Sequence, residues 1–181
     1  MKKTDAESIL EHALSLFRLR GYSSTSMADI GKASGLLKGS IYHHFPSKEA
    51  ILNQALNRLS SHFEKQVFSL SQDEGMTDKQ RLDAMVSAIE NYFIENKACV
   101  MAHVAMEAME DTARAKDQIQ AFFKRWRSAF ADVLAIHHGD LIAQRLAEDS
   151  ISQLEGAVLW LNIFDDPAPL KRMCNRIRDL L

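Results

Sequence analysis

Apolar residues recur at intervals of three and four positions along almost the whole chain. This spacing places them on one face of an amphipathic helix. The first such stripe consists of Ile9, Ala13, Leu16 and Phe17. No stretch of useful length alternates apolar and polar residues as a half-buried strand does. The pattern therefore predicts an all-α protein of about nine helices.

Residues that cap or stop helices divide this pattern. Thr4 and Glu7 have the spacing of a capping box, and Gly21 suits a left-handed stop, so the first helix is predicted over about 4–20. Ser26 and Pro46 bound the next short elements. The later helices are predicted at 27–34, 38–44, 47–70, from 77 onward, 100–110, 112–137, 141–163 and 169–181.

The two short helices have the dimensions of a helix-turn-helix motif. They are joined by the segment from Ser34 to Leu37, and a tight turn that contains Gly lets two helices meet steeply. On the second helix, Ile41, His44 and Phe45 fall on the face that we predict to point inward. The opposite face carries small and hydrogen-bonding residues.

That opposite face has chemistry suited to DNA. Lysine neutralises phosphates or donates to guanine, and hydroxyl and imidazole groups bond to phosphates or bases. Gly39 leaves the helix start bare for close approach to a strand, and neighbouring helix N-termini favour anions. The predicted DNA contacts are Thr25, Ser26, Lys38, Gly39, Ser40, Tyr42, His43 and Lys48.

The stretch TSMADIGKASGLLKGSIYHHFPSKEAIL, residues 25–52, resembles the amino-terminal domain of the tetracycline-repressor (TetR) family of transcriptional regulators. The stretches ACVMAHVAMEAM and QLEGAVLWLNIFDDPAPLKRM are similar, more loosely, to one branch of that family. Leu37 departs from the family pattern, which usually has Ser or Thr there as the cap of the recognition helix. A change of this kind typically costs about 1 kcal/mol of helix stability.

The resemblance implies a domain organisation and a mechanism. A helix-turn-helix domain at 1–47 is linked by a helix at 47–70 to an effector-binding and dimerisation domain at 48–181. A homodimeric repressor of this kind is released from a palindromic double-stranded DNA operator by a small-molecule effector, although operator position decides between repression and activation. The last two helices form the dimer interface, for which we predict Leu154, Gly156, Ala157, Leu161, Leu170, Met173 and Ile177.

The carboxy-terminal part is rich in aromatic residues and methionine. At helical spacing such residues usually form a core, but large and flexible side chains also suit an adaptable apolar pocket. The resemblance implies that this domain binds the effector, which we expect to be apolar or aromatic. The candidate pocket residues are Phe93, Cys99, Met101, His103, Met106, Phe122, Trp126 and Trp160.

Cys99 supports two alternative functions. It falls at the start of a predicted helix, where the helix dipole lowers the pKa of a thiol, so it is a candidate sensor of electrophiles or oxidants; the competing interpretation is a buried, inert thiol. Cys99 and His103, one turn apart, also have the spacing of a nucleophile and its base. No third orienting group or oxyanion loop accompanies them, and we therefore expect no enzyme.

Charge and composition narrow the remaining classes. The 181-residue chain has a net charge of −2, yet residues 1–62 carry eight Lys and Arg against five Asp and Glu, and the remainder carries 14 against 19. Such asymmetry indicates one face for a polyanion. No apolar run reaches the roughly 18 residues of a membrane span, and the two cysteines lack metal-ligand spacing. We expect a cytoplasmic protein without a membrane segment, metal or cofactor.

Overall fold

The computed structural model describes residues 5–107 and 113–181, apart from the side chains of residues 38 and 113. Over these ranges it contains nine α-helices, one 3-10 turn and no strand, which confirms the all-α prediction. The helices are α1 Asp5–Arg20, α2 Met27–Ala33, α3 Lys38–His44, α4 Lys48–Gln66, α5 Asp78–Asn96, α6 Val100–Met106, α7 Ala113–His138, α8 Asp140–Phe164 and α9 Ala168–Arg178.

Helix ends follow local residue chemistry. The N–H of Asp29 donates to Ser26 Oγ at 3.1 Å, while the N–H of Ser26 donates to Asp29 Oδ2 at 2.9 Å. This reciprocal capping box begins α2, and Thr77 and Gln80 begin α5 in the same way. Gly21 ends α1 with a φ of +81°, a region that L side chains rarely adopt.

Some predicted boundaries shift. The helix predicted over 47–70 ends at Gln66 and is followed by the 3-10 turn Phe68–Gln72. The helix predicted over 141–163 is α8, which covers Asp140–Phe164. The predicted cap at Thr4 and the predicted junction near residues 110–112 lie outside the described residues.

The chain forms two compact units that a single cut in the sequence does not separate. The first joins Met1–Ser60 with Val100–Gln120, and the second joins Ser61–Cys99 with Ala121–Leu181. Helix α6 therefore packs with the amino-terminal helices. The functional division expected at residue 47 stays a prediction, because these units report packing alone.

Each unit has its own buried core. The first buries apolar side chains of α1 to α4, among them Ile9, Ala13, Phe17, Ile30, Ile41, Phe45, Ile51 and Leu52. The second is centred on the fully buried Trp126, whose ring stacks with those of Phe93 and Phe123 at centroid distances of 6.4 and 6.1 Å. Burial of this kind contributes about 25 cal/mol per Å² of apolar surface. No helix in the described ranges is long and apolar enough to cross a bilayer.

Candidate nucleic-acid interface

Helix α3 has one buried face and one exposed face. Ile41 and Phe45 are 0% and 2% exposed and pack into the core of the first unit, which fixes the rotation of the helix. The opposite side, with Tyr42 47% exposed, faces solvent. Four predicted contacts share this exposed side: Gly39, Ser40, Tyr42 and His43.

At both ends of α3, a residue differs from what a regular amphipathic helix would have: an apolar residue at the cap and an exposed histidine on the predicted inward face. Leu37 occupies the cap position, makes no side-chain capping hydrogen bond and is 81% exposed. The side chain of Lys38 lies outside the described part of the structure, so its DNA contact stays a prediction. His44, which we predicted to point inward, is instead exposed in the last turn, with its Nε2 4.0 Å from Asp5 Oδ2.

Thr25 and Ser26, both predicted DNA contacts, have different environments. Thr25 is 1% exposed and its hydroxyl donates to the carbonyl of Gly21 at 2.7 Å. That hydroxyl is buried and stabilises the turn after α1, and the DNA contact of Thr25 stays a prediction. Ser26 is exposed, and its hydroxyl donates to the Asp29 carboxylate at 2.5 Å.

Lys48, at the start of α4, is held by the protein itself. Its Nζ donates to the carbonyl of Tyr22 at 2.8 Å and lies 4.2 Å from the centroid of the Tyr22 ring. Burial lowers the pKa of Lys48, and the nearby Glu107 carboxylate opposes that shift. The ammonium keeps further N–H donors, and a phosphate contact from this anchored position stays a prediction.

Glu107, which the sequence analysis did not single out, accepts two backbone hydrogen bonds in the first unit. Its Oε1 and Oε2 accept the N–H groups of Tyr22 and Ser23 at 2.5 and 2.6 Å. Burial raises the pKa of Glu107, but the hydrogen bonds from Ser23 and Tyr22 and the charge of Lys48 outweigh it, and the pKa lies below its usual value. Glu107 falls within the family-like stretch ACVMAHVAMEAM, but nothing in that spacing indicates its partners.

The predicted effector residues divide between the two units. Phe93, Cys99, Phe122, Trp126 and Trp160 belong to the second, and Met101, His103 and Met106 belong to the first. Five of these eight are buried in the core of their unit: Phe93, Cys99, Met101, Phe122 and Trp126. Met106 and Trp160 are 71% and 46% exposed. The half-buried His103 has its Nδ1 3.1 Å from the carbonyl oxygen of Arg18.

The interior of the second unit contains a carboxyl group that the sequence analysis missed. Glu155 is hydrogen-bonded to the Cys99 thiol, and burial, which that bond opposes, raises the pKa of Glu155 to about 7. Its Oε1 and the indole N–H of Trp126 are buried without a hydrogen-bond partner among the described residues. The sequence does hold a signal: Glu155 stands at helical spacing between Ile151 and Val158, inside an apolar stripe.

Most residues of the predicted dimer interface are buried within the single chain, and the interface itself stays a prediction. Leu154, Ala157, Leu161, Leu170 and Ile177 are at most 8% exposed within the single chain, because they pack inside the second unit. Gly156 is exposed and Met173 is half-buried. The exposed apolar residues of α8 are Leu159, Trp160, Ile163 and Phe164, each at least 46% exposed. Beside them, Gly156, Ala157, Trp160 and Met173 help line an open groove of about 460 Å³ between α8 and α9.

Comparison with known proteins assigns both parts of the chain. Residues 9–55 match the bacterial regulatory proteins of the tetR family, and residues 79–176 match the carboxy-terminal domain of LmrA/YxaF-like transcriptional regulators. The HTH-type transcriptional repressor DhaR of Mycobacterium sp. (strain GP1) is 25% identical, over 96% of this chain and 90% of its own length. The HTH-type transcriptional regulator LmrA of Bacillus subtilis (strain 168) is 27% identical, over 97% of this chain and 95% of its own.

Solved structures agree with this assignment. A TetR transcriptional regulator from Legionella pneumophila superposes with a TM-score of 0.87 at 25% identity, covering 100% of this chain and 98% of that one. The family match of the carboxy-terminal part alone spans more than half of the sequence. The chain is therefore a helix-turn-helix transcriptional regulator of the TetR family.

Proposed function

We propose that this regulator is a homodimeric repressor that binds a near-palindromic operator through the exposed face of α3. The observation that carries the proposal is the two-sided character of α3, with Ile41 and Phe45 buried and Ser40, Tyr42 and His43 exposed. Hydroxyl and imidazole groups bond to phosphates and base edges. Similarity to the transcriptional repressor DhaR favours the repressor role.

The exposed apolar residues of α8 support the dimer. Trp160, Ile163 and Phe164 would be costly to leave in water, and a second copy of α8 and α9 would cover them. Two-fold symmetry then sets two α3 helices roughly 34–36 Å apart on successive major grooves. The groove beside Gly156 lets a partner helix approach closely.

Release by an effector is supported by the interior of the second unit. Trp126 and Glu155 each have one buried polar atom without a hydrogen-bond partner among the described residues. Most buried polar groups in proteins do have such a partner. A ligand that bonds to them would favour one conformation, and operator affinity would fall by the ratio of its affinities for the two states. The surrounding rings of Phe93 and Phe122 favour an aromatic or apolar effector.

Selection from sheared genomic DNA of the source organism tests the proposal. Purified protein should enrich a fragment that contains a near-palindrome, and its affinity should fall steeply with salt, with a log–log slope of several units. A slope near zero on both the enriched fragment and random duplex would contradict DNA binding. The enriched fragment then serves as the operator probe.

A second candidate function is electrophile sensing by Cys99, which a specific contact favours. The thiol is 7% exposed and hydrogen-bonded to Glu155, whose pKa of about 7 suits it to accept the thiol proton as sulfur attacks. N-ethylmaleimide would form a C–S bond, and the proton would pass to the carbon beside the attacked one. Reagent-induced release from the operator should then be abolished in Cys99→Ser, and release that persists in this variant would contradict the role.

The enzyme alternative gains no such support. His103 Nδ1 is engaged with the carbonyl of Arg18, and the Cys99 thiol is engaged with Glu155. Each member of the supposed nucleophile–base pair thus has another partner.

A further inference from the structure

Helix α6 and the residue after it contact the amino-terminal helices at two points, although 85 residues separate the partners in sequence. His103, in the middle of α6, meets the carbonyl of Arg18 in the last turn of α1 at 3.1 Å. Glu107, directly after α6, accepts the N–H groups of Tyr22 and Ser23 in the turn between α1 and α2. The end of α6 therefore holds the turn from which α2 begins.

Gly21 makes room for this contact. A Cβ atom at this position would lie 2.6 Å from Glu107 Oε1, so the carboxylate would have to move away from the turn. The backbone there has a φ of +81°, so a non-glycine residue would also be strained. The positive φ of Gly21 and its lack of a Cβ atom together allow the Glu107 carboxylate to approach the backbone of the turn.

Tyr22 links Glu107 to the start of α4. Its N–H is bound by Glu107, and its carbonyl accepts from Lys48 Nζ at 2.8 Å. Its ring lies beneath the Lys48 ammonium and packs on Phe17 with a centroid distance of 5.3 Å. One residue of the turn is therefore held by α6 on one side and by α4 on the other.

We propose that Glu107 is a positioning residue for DNA binding, which makes α6 an integral part of the DNA-contacting unit. Its carboxylate fixes the α1–α2 turn, and through Tyr22 it sets the start of α2 and the anchored position of Lys48. The inference rests on the proposed DNA-binding function.

The effect of neutralising Glu107 on DNA affinity distinguishes a positioning role from simple charge repulsion. A negative charge near DNA phosphates repels them, so its neutralisation should strengthen DNA binding. If Glu107 positions the turn, neutralisation should weaken binding, since glutamine accepts one N–H but presents its own NH₂ group to the other. The sign of the change therefore separates the two roles.

The test compares Glu107→Gln with Glu95→Gln, an identical charge change on an exposed residue of α5 in the other unit. At fixed salt, Glu107→Gln should bind the selected operator fragment about tenfold more weakly, a typical size for coupling between sites. Glu95→Gln should bind it as well as the unchanged protein. Hydrogen exchange of the Ser23 amide should be at least about tenfold faster in Glu107→Gln alone, with helix content by circular dichroism unchanged.

Equal operator affinity of Glu107→Gln and Glu95→Gln, with faster exchange at Ser23, would overturn the proposal and leave Glu107 a structural role only. A double-mutant cycle tests whether Gly21 and Glu107 act through the same contact. Gly21→Ala should weaken operator binding less in a Glu107→Ala background than in the unchanged protein, because the clash with the carboxylate is gone. Additive losses would count against the link. Failure of the unchanged protein to bind DNA would remove the proposed function itself, a result visible before any variant is made.

Discussion

Each compact unit exposes one helix face of a different chemical character. The first exposes Ser40, Tyr42 and His43 on α3, whereas the second exposes Leu159, Ile163 and Phe164 on α8. A polar surface with a bare glycine suits a hydrated polyanion, and an apolar surface of this kind suits a partner that also excludes water. These two surfaces have the chemistry that the proposed operator and the proposed second copy of the chain would each require.

The same contrast holds for one carboxyl group in each unit. Glu107 receives two backbone N–H groups and has a lowered pKa, whereas Glu155 receives the Cys99 thiol and has a pKa raised to about 7. Hydrogen bonds to the charged form stabilise it, and burial without enough of them destabilises it. Glu107 is thus stabilised in its charged form, whereas Glu155 is a group whose protonation a ligand or a change of pH can influence.

The largest effect is expected from placing a charge on the exposed face of α8. Ile163→Asp puts two buried carboxylates into each proposed dimer, and we expect dimerisation to weaken by roughly a hundredfold or more. Operator affinity should fall with it, because two linked α3 helices bind far more tightly than one. Sedimentation equilibrium and operator titration measure the two losses.

Ile136→Asp provides the matched control, since Ile136 is 70% exposed on α7 and Ile163 is 60% exposed on α8. The control should leave both association and DNA binding near their original values. If Ile163→Asp dimerises as well as the unchanged protein, the apolar face of α8 is not the interface and the contrast between the two surfaces loses its explanation.

The next effect concerns the pH dependence of stability caused by Glu155. Between pH 4.5 and about 7 the folded protein keeps this proton while the unfolded chain loses it, so stability falls as pH rises through that window. Glu155→Gln removes the titration and can still accept the thiol hydrogen bond. Relative to the unchanged protein, the variant should gain on the order of 2 to 3 kcal/mol at pH 8 and little at pH 4.5.

Urea unfolding at pH 4.5 and pH 8 measures this change. Subtracting the free energy of unfolding of the unchanged protein from that of the variant cancels the contribution of the histidines, which both proteins share. Glu95→Gln controls for the loss of one exposed charge. A gain of equal size at both pH values would mean that Glu155 is not held neutral by burial.

A smaller effect is expected at the exposed face of α3. Tyr42→Phe removes one hydroxyl per protomer, and operator affinity should fall about tenfold for the two protomers together. The salt slope should stay the same because no charge is lost. Tyr92→Phe, in the second unit, should leave DNA binding unchanged; a similar loss in both variants would place the effect outside the α3 surface.

Sequence patterns predicted α3 and α8 with unequal success for a physical reason. α3 has one apolar face, so Ile41 and Phe45 identified the buried side and Tyr42 the exposed side. α8 has apolar residues on two faces, and periodicity alone does not tell which face packs within the chain. Leu154 and Leu161 were therefore assigned to the dimer, whereas Ile163 and Phe164 are the exposed ones.

Hydrogen bonds between segments far apart in sequence could not be predicted, for a different reason. Thr25 and Lys48 carry donors typical of DNA contacts, but their bonds to Gly21 and Tyr22 depend on how the turn after α1 folds back. Glu107 meets that turn only because α6 packs against α1. Helix boundaries and caps such as Ser26 are local and were predicted; the partners of a charged group are not local.

The smallest effect is the acid sensitivity of the Glu107 contact. Its folded-state pKa is lowered, so its contribution is present above the unfolded pKa near 4.5 and is lost as pH falls through the folded value. Because the group is partly solvent-exposed, screening limits the loss to less than about 1 kcal/mol. Comparing Ser23 amide exchange at pH 6 and pH 3.5, corrected for intrinsic rates, should show weaker protection at the lower pH in the unchanged protein. Glu107→Gln should show little pH dependence. An equal pH dependence of Ser23 protection in the unchanged protein and in Glu107→Gln would mean that another group controls the turn. Glu107 would then not be the carboxylate stabilised by its hydrogen bonds, and its contrast with Glu155 would fail.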